Sequence, residues 1–215
     1  MDLYFKIKEQ RKNIVAPVDT MGCASMGKNQ DDRKFYVLVG LLLSSQTKDE
    51  VTYKAVENLE NKLGTLSPSN VLQAQREDIH KCIEKVGYHN KKTQFLYEIS
   101  KKVEGKMPDT LEETLALPGI GKKMAYLYLA HACNKNEGIG VDTHVHRISN
   151  RLKMVKSKNE EGTRMQLEKI FEKDEWQTIN KVLVGFGQTI CLPLKPKCNQ
   201  CSISELCPFR NNKEI

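Results

Sequence analysis

Almost nowhere in this chain does the apolar–polar alternation of a β-strand persist, whereas apolar residues recur at the three- and four-residue intervals of a helix. That spacing predicts an all-α fold. Val51, Ala55, Val56, Leu59 and Leu63 mark one such face over Lys48–Leu63, and Gly64 stops it. Ser67-Pro68 reads as an N-cap followed by a first helical position. Further helices are expected over Arg76–Val86, Asn90–Val103, Thr143–Leu152, Thr163–Phe171 and Thr178–Ile190. Asp109 or Thr110 should cap a short helix ending at Leu117-Pro118. The polar, glycine-containing stretch Asn134–Gly140 looks like a crossover between domains.

The longest apolar run, Val37–Leu43, is far too short to span a bilayer, so no membrane partner is expected. The N-terminus has no apolar signal region and carries acidic residues early, which points to work inside a cell. The net charge is +7, from 34 Lys and Arg against 27 Asp and Glu, and its distribution is more informative than its size. Thr143–Asn159 holds Arg147, Arg151, Lys153, Lys156 and Lys158 with no acid, a patch suited to displacing counterions from a phosphate backbone or simply a solvated face. Arg147 is the member expected to reach DNA.

Leu111–Leu117, Leu117-Pro-Gly-Ile-Gly121 and Lys122–Cys133 read as helix, tight hairpin, helix. Gly119 and Gly121 permit backbone conformations closed to other residues and leave amides uncovered. A helix starting there presents N–H groups and a positive dipole end to an anion. An ordinary αα-hairpin loop would also use glycine. The Leu-Pro before the loop and Lys122-Lys123 after it favour a phosphate site, blind to base sequence. Asp142, in Gly-Val-Asp-Thr-His, reads as an N-cap. His144 and His146, two apart on a helix, point in different directions and do not make a metal pair.

Seven cysteines are present, and Cys191, Cys198, Cys201 and Cys207 crowd the C-terminal segment as C-x6-C-x2-C-x5-C. Four thiolates suit tetrahedral zinc or a [4Fe–4S] cluster, and spacing alone does not choose. Cys23, Cys82 and Cys133 stand apart and read as buried thiols.

Leu-Pro-Gly-Ile-Gly-Lys-Lys followed by Val-Asp-Thr-His-Val-His-Arg resembles the helix-hairpin-helix plus Gly/Pro-Asp signature of the DNA glycosylase superfamily. Leu-Leu-Ser-Ser-Gln-Thr-Lys-Asp and the four-cysteine tail narrow the resemblance to endonuclease III-like enzymes, over about Phe35 to Cys207. The resemblance implies a bifunctional enzyme on duplex DNA containing an oxidised pyrimidine or an abasic site. Lys123 would be the amine that attacks deoxyribose C1′, and Asp142 the carboxylate that stabilises charge at the sugar and assists proton transfer. Gln46 would fill the gap left by a flipped nucleotide. Gly87–Lys92 would be the loop that wedges between bases. Many relatives carry an aliphatic residue where this chain has Tyr88, which is favoured here over His89 as the wedge. His144 would sit at the cleft edge. The cofactor implied is a [4Fe–4S] cluster on the four cysteines.

Two helical domains flanking a DNA cleft are expected: residues 31–136 as a helical barrel with the hairpin, and residues 1–30 with 137–215 as the cluster domain. The protein is expected to act as a monomer. Leu-Val-Gly-Phe-Gly-Gln-Thr-Ile-Cys-Leu-Pro resembles eukaryotic relatives, which implies a nuclear setting and leaves a mitochondrial share open. A monofunctional adenine glycosylase would lack a lysine at position 123. A non-enzymatic hairpin module with a zinc ribbon would leave the placement of Lys123 and Asp142 a coincidence.

Overall fold

The computed structural model describes residues 2–27 and 30–211. Met1, Lys28, Asn29 and residues 212–215, all within the expected cluster domain, lie outside the described residues. The regular structure of the described residues is helical throughout: α1 (Asp2–Arg11), α2 (Pro17–Thr20), α3 (Gln30–Ser44), α4 (Asp49–Leu63), α5 (Pro68–Gln73), α6 (Arg76–Ile83), α7 (His89–Val103), α8 (Leu111–Leu115), α9 (Lys122–Ala132), α10 (Thr143–Arg151), α11 (Glu160–Ile170), α12 (Trp176–Thr189) and α13 (Pro208–Asn211), with short 3₁₀ turns between. Among the described residues no helix is long and apolar enough to cross a membrane.

The chain divides into two compact units, Met21–Glu137 and Met1–Thr20 with Gly138–Ile215. In the first, α3 is the central element. Its run from Phe35 to Leu43 is buried, so this helix is apolar all round instead of on one stripe. It packs against α4, α7, α9 and the turn Cys23–Ser25. Gly40 permits the last contact, because a Cβ there would stand 2.4 Å from the Met26 sulfur. That packing moves the start of this unit ten residues earlier than the Asp31 expected from sequence.

In the second unit α12 packs against α1, α2 and α10. Tyr4 and Ile7 of α1 are fully buried with Val145, Ile148, Ile179 and Leu183. Glycines in a helix interior cost about 1 kcal/mol each against alanine. Here they buy close approach: a Cβ at Gly185 would run into the Arg11 guanidinium, and one at Gly187 into His144 Nδ1 at 2.5 Å.

Candidate functional site

The hairpin forms as its sequence suggests. Thr110 caps α8 by accepting from the Glu113 amide at 3.2 Å, and Ile120 N–H donates to the Leu117 carbonyl at 3.3 Å to close the turn. Its two glycines serve different ends. Gly119 has φ +76°, and a Cβ would lie 2.5 Å from the Phe95 ring and 3.2 Å from Leu42. Gly121 has an extended backbone, caps α9 with no side-chain bond, and would place a Cβ in open space. The first turn of α9 thus begins without a side chain in front of it, the geometry in which helix amides meet an anion.

Lys122 is exposed and Lys123 half-buried on this first turn. Lys123 lies within electrostatic reach of two titratable groups. Burial and then the Lys123 charge lower the Lys92 ammonium to about 8, and burial raises the Cys23 thiol to about 11 against the opposing Lys123 charge. Gln46 lies two residues beyond the end of α3, exposed, with φ 53°. Tyr88 caps α7 with φ 57° and is 64% exposed. His89 is half-buried and meets the His80 ring edge-on at 4.9 Å. All of these residues belong to the unit Met21–Glu137.

Asp142 belongs to the other unit. It caps α10, its Oδ1 accepting from the Val145 amide at 2.8 Å, so the side chain is half-buried and fixed in direction. His144 and His146 diverge: Nδ1 of the latter meets the Thr163 hydroxyl at 2.7 Å, and Nδ1 of the former meets Arg147 at 3.2 Å. The basic segment is more engaged than its composition suggests. Arg147 donates to the Cys191 carbonyl at 3.0 Å. Arg151 donates to the carbonyls of Leu192 and Pro193 at 2.7 and 2.6 Å, touches Cys191 Sγ at 3.5 Å, and stacks on Phe209. Both guanidinia therefore anchor the cysteine segment, a role that sequence reasoning missed because the partners are backbone carbonyls.

Cys191, Cys198, Cys201 and Cys207 line a single cavity with Leu152, Phe186, Ile190, Ile203 and Phe209. Burial raises the Cys201 thiol, and the other three cysteines add to the rise. No group of three His, Cys, Asp or Glu side chains among the described residues is drawn together closely enough to hold a single metal ion. Cys23, Cys82 and Cys133, expected to be buried, are half-buried.

Residues 39–173 match the family of HhH-GPD superfamily base excision DNA repair proteins. An endonuclease III homolog of Encephalitozoon cuniculi is 47% identical over 97% of this chain and 93% of that protein. The Schizosaccharomyces pombe homolog is 45% identical over 96% of the chain, which spans 61% of that longer protein. A solved trapped endonuclease III–DNA covalent intermediate superimposes with a TM-score of 0.82 at 24% identity, covering 98% of this chain and 96% of the other, and so shares the all-α fold. By these matches the chain belongs to the HhH-GPD superfamily of base excision DNA repair proteins and, within it, to the endonuclease III-like DNA glycosylases.

Proposed function

We propose that this glycosylase is bifunctional, removing oxidised pyrimidines from duplex DNA and then cleaving the strand at the abasic site by β-elimination. The observation that carries the reading is a half-buried Lys123 on the first turn of α9, directly behind the open face of Gly121. With a phosphate held at that face, the amine is brought to the backbone of the nucleotide under attack. Lys123 Nζ attacks C1′, the glycosidic bond breaks and the base leaves with a proton. Ring opening yields an imine between Lys123 and C1′. Loss of a C2′ proton then expels the 3′ phosphate, and water releases the lysine. Asp142, pinned by the Val145 amide, is the carboxylate that the resemblance assigns to the positive charge developing at the sugar. Gln46 and Tyr88 replace the everted nucleotide in the stack, and an aromatic stacked on a base contributes about 1–3 kcal/mol. The resemblance assigns His144 to the cleft edge, and Arg147, bonded to both His144 and the Cys191 carbonyl, would reach DNA beside it.

The resemblance favours a [4Fe–4S] cluster over zinc on the four cysteines, which line one cavity and offer the four thiolates that such a cluster takes. When bound, the cluster would supply a cross-link that shapes the tail, with Lys195 and Lys197 beside it for phosphate. It takes no part in bond breaking. The nucleus is the proposed compartment and a monomer the working form.

Borohydride reduces an imine to a stable amine, so the protein should be trapped on duplex carrying an abasic site or an oxidised pyrimidine. Lys123→Gln should abolish trapping and strand cleavage while duplex binding persists. Asp142→Asn should bind and release base slowly. Folded Lys123→Gln that is still trapped at the wild-type rate overturns the assignment, with Lys122 the next candidate. A panel of defined lesions reads the substrate class.

A further inference from the structure

We propose that Lys92 is a positioning residue that holds the Gln46 and Tyr88 turns in register for insertion into the base stack. The inference rests on the reading of those two residues given above.

Lys92 lies in the first turns of α7 and is 3% exposed. Its ammonium donates to the carbonyls of Leu43 at 2.8 Å and Ser45 at 2.6 Å and to the Thr47 hydroxyl at 3.5 Å. Three donors meet three oxygens, so Nζ is fully engaged and is not a second nucleophile. The acceptors lie at the C-terminal end of α3, where carbonyls lack helical partners and a cation meets the negative end of the dipole. Between them stands Gln46, held at φ 53°. A left-handed glutamine persists only where its surroundings dictate it.

The same cluster fixes the second turn. Thr47 Oγ1 also accepts from the Gly87 amide at 3.1 Å. The two loops meet backbone to backbone: a Cβ at Gly87 would stand 2.7 Å from the Gln46 carbonyl oxygen. Tyr88 follows at φ 57°, and the Lys92 amide donates to its carbonyl at 3.0 Å. One residue thus binds the Gln46 turn with its side chain and the Tyr88 turn with its backbone. A buried ammonium is an expensive filler, made more so by the neighbouring Lys123 charge. A methionine would occupy the space without that penalty, but it would leave the Leu43 and Ser45 carbonyls unpaired and the two turns unlinked.

The test uses full-length, metal-loaded protein and compares wild type with Lys92→Met, Lys92→Arg and Thr47→Val. Thr47→Val cuts the link between the turns while leaving the Lys92 ammonium its bonds to the Leu43 and Ser45 carbonyls, and so covers the case in which Lys92→Met does not fold. Excision of an oxidised pyrimidine is measured in duplex DNA with 2-aminopurine opposite the lesion, whose fluorescence reports disturbance of the stack. Borohydride trapping on a single-stranded abasic oligonucleotide measures chemistry that needs no eversion. Duplex excision and the 2-aminopurine signal should fall together in Lys92→Met and Thr47→Val, by up to about 100-fold for a misplaced group. Single-strand trapping should hold, and Lys92→Arg should recover part of the loss. Folded variants with wild-type duplex excision, or with both substrates lost equally, overturn the proposal. If Gln46→Ala and Tyr88→Ala leave the 2-aminopurine signal of the wild type unchanged, the reading of those two residues fails instead.

Discussion

In the unit Met21–Glu137 a single apolar cluster runs from Met26 on the chain entering α3 to Leu129 on α9, with α3 buried along its middle. Between Cys191 and Asn211 the only buried apolar side chain is Ile203. That segment is tied down by Arg151 on the Leu192 and Pro193 carbonyls, Arg147 on Cys191, and Gln10 on the Gln200 carbonyl at 2.6 Å. Two sources of order follow. The helical unit draws stability from area removed from water, and the tail, with little area to bury, depends on hydrogen bonds and on whatever its four thiols hold.

The most severe way to break this comparison is to remove the proposed cluster. Chelation, or Cys198→Ser, should open residues 192–211 to protease by about tenfold or more while Met21–Glu137 resists. Fragment masses give the map, and simultaneous loss of both regions would mean that the tail is not separately held. A cavity in the helical unit should act the other way. Leu38→Ala should cost about 2–5 kcal/mol in denaturant unfolding and leave the iron content at the level of the wild type. Gly119→Ala combines a disfavoured backbone with a clash against Phe95, and should lower stability by about 1–3 kcal/mol and weaken duplex binding. Arg151→Ala, on α10, removes two charge-assisted bonds to the tail, worth about 1.5–3 kcal/mol each at most, and should speed loss of the proposed cluster to a chelator without moving the melting of Met21–Glu137.

The same contrast explains what the sequence revealed. Where order comes from apolar periodicity or a local cap, the reading succeeded: α4 ends at Gly64 with φ 75°, Ser67 caps α5, and Thr110 caps α8. It failed where a helix is held from outside. α1 was not foreseen, since Tyr4 and Ile7 are embedded in an otherwise polar run and rely on partners such as the Lys8–Glu175 ion pair at 2.7 Å. α11 starts three residues earlier than expected, at Glu160. Asn159 caps it by accepting from the Gly162 amide, a signal present in Asn-Glu-Glu and overlooked. Of the candidate site, hairpin, Lys123 and cysteines were legible as motifs. Lys92 was not, because a lysine among lysines shows nothing of its burial.

The smallest expected effect is electrostatic. Burial raises the Asp19 carboxyl, but the Arg11 hydrogen bond, the Ala16 amide and the charges of Arg11 and Lys181 outweigh it and leave the pKa lowered. A lowered folded value contributes stability that is present above the unfolded pKa of about 3.9 and is lost as pH falls through the folded one. Asp19→Asn should therefore flatten the acid limb of the stability curve for the unit containing α1 and α12, and leave Met21–Glu137 unaffected.

Gly121 sets two properties of the protein against each other. No neighbouring atom or special backbone angle demands glycine there. Aspartate would cap α9 better by a few tenths of a kcal/mol and would suit the positive end of its dipole. It would also set a fixed anion at the proposed phosphate site. A library selected for heat resistance should drift towards acidic caps at this position, and one selected for grip on DNA should return to glycine.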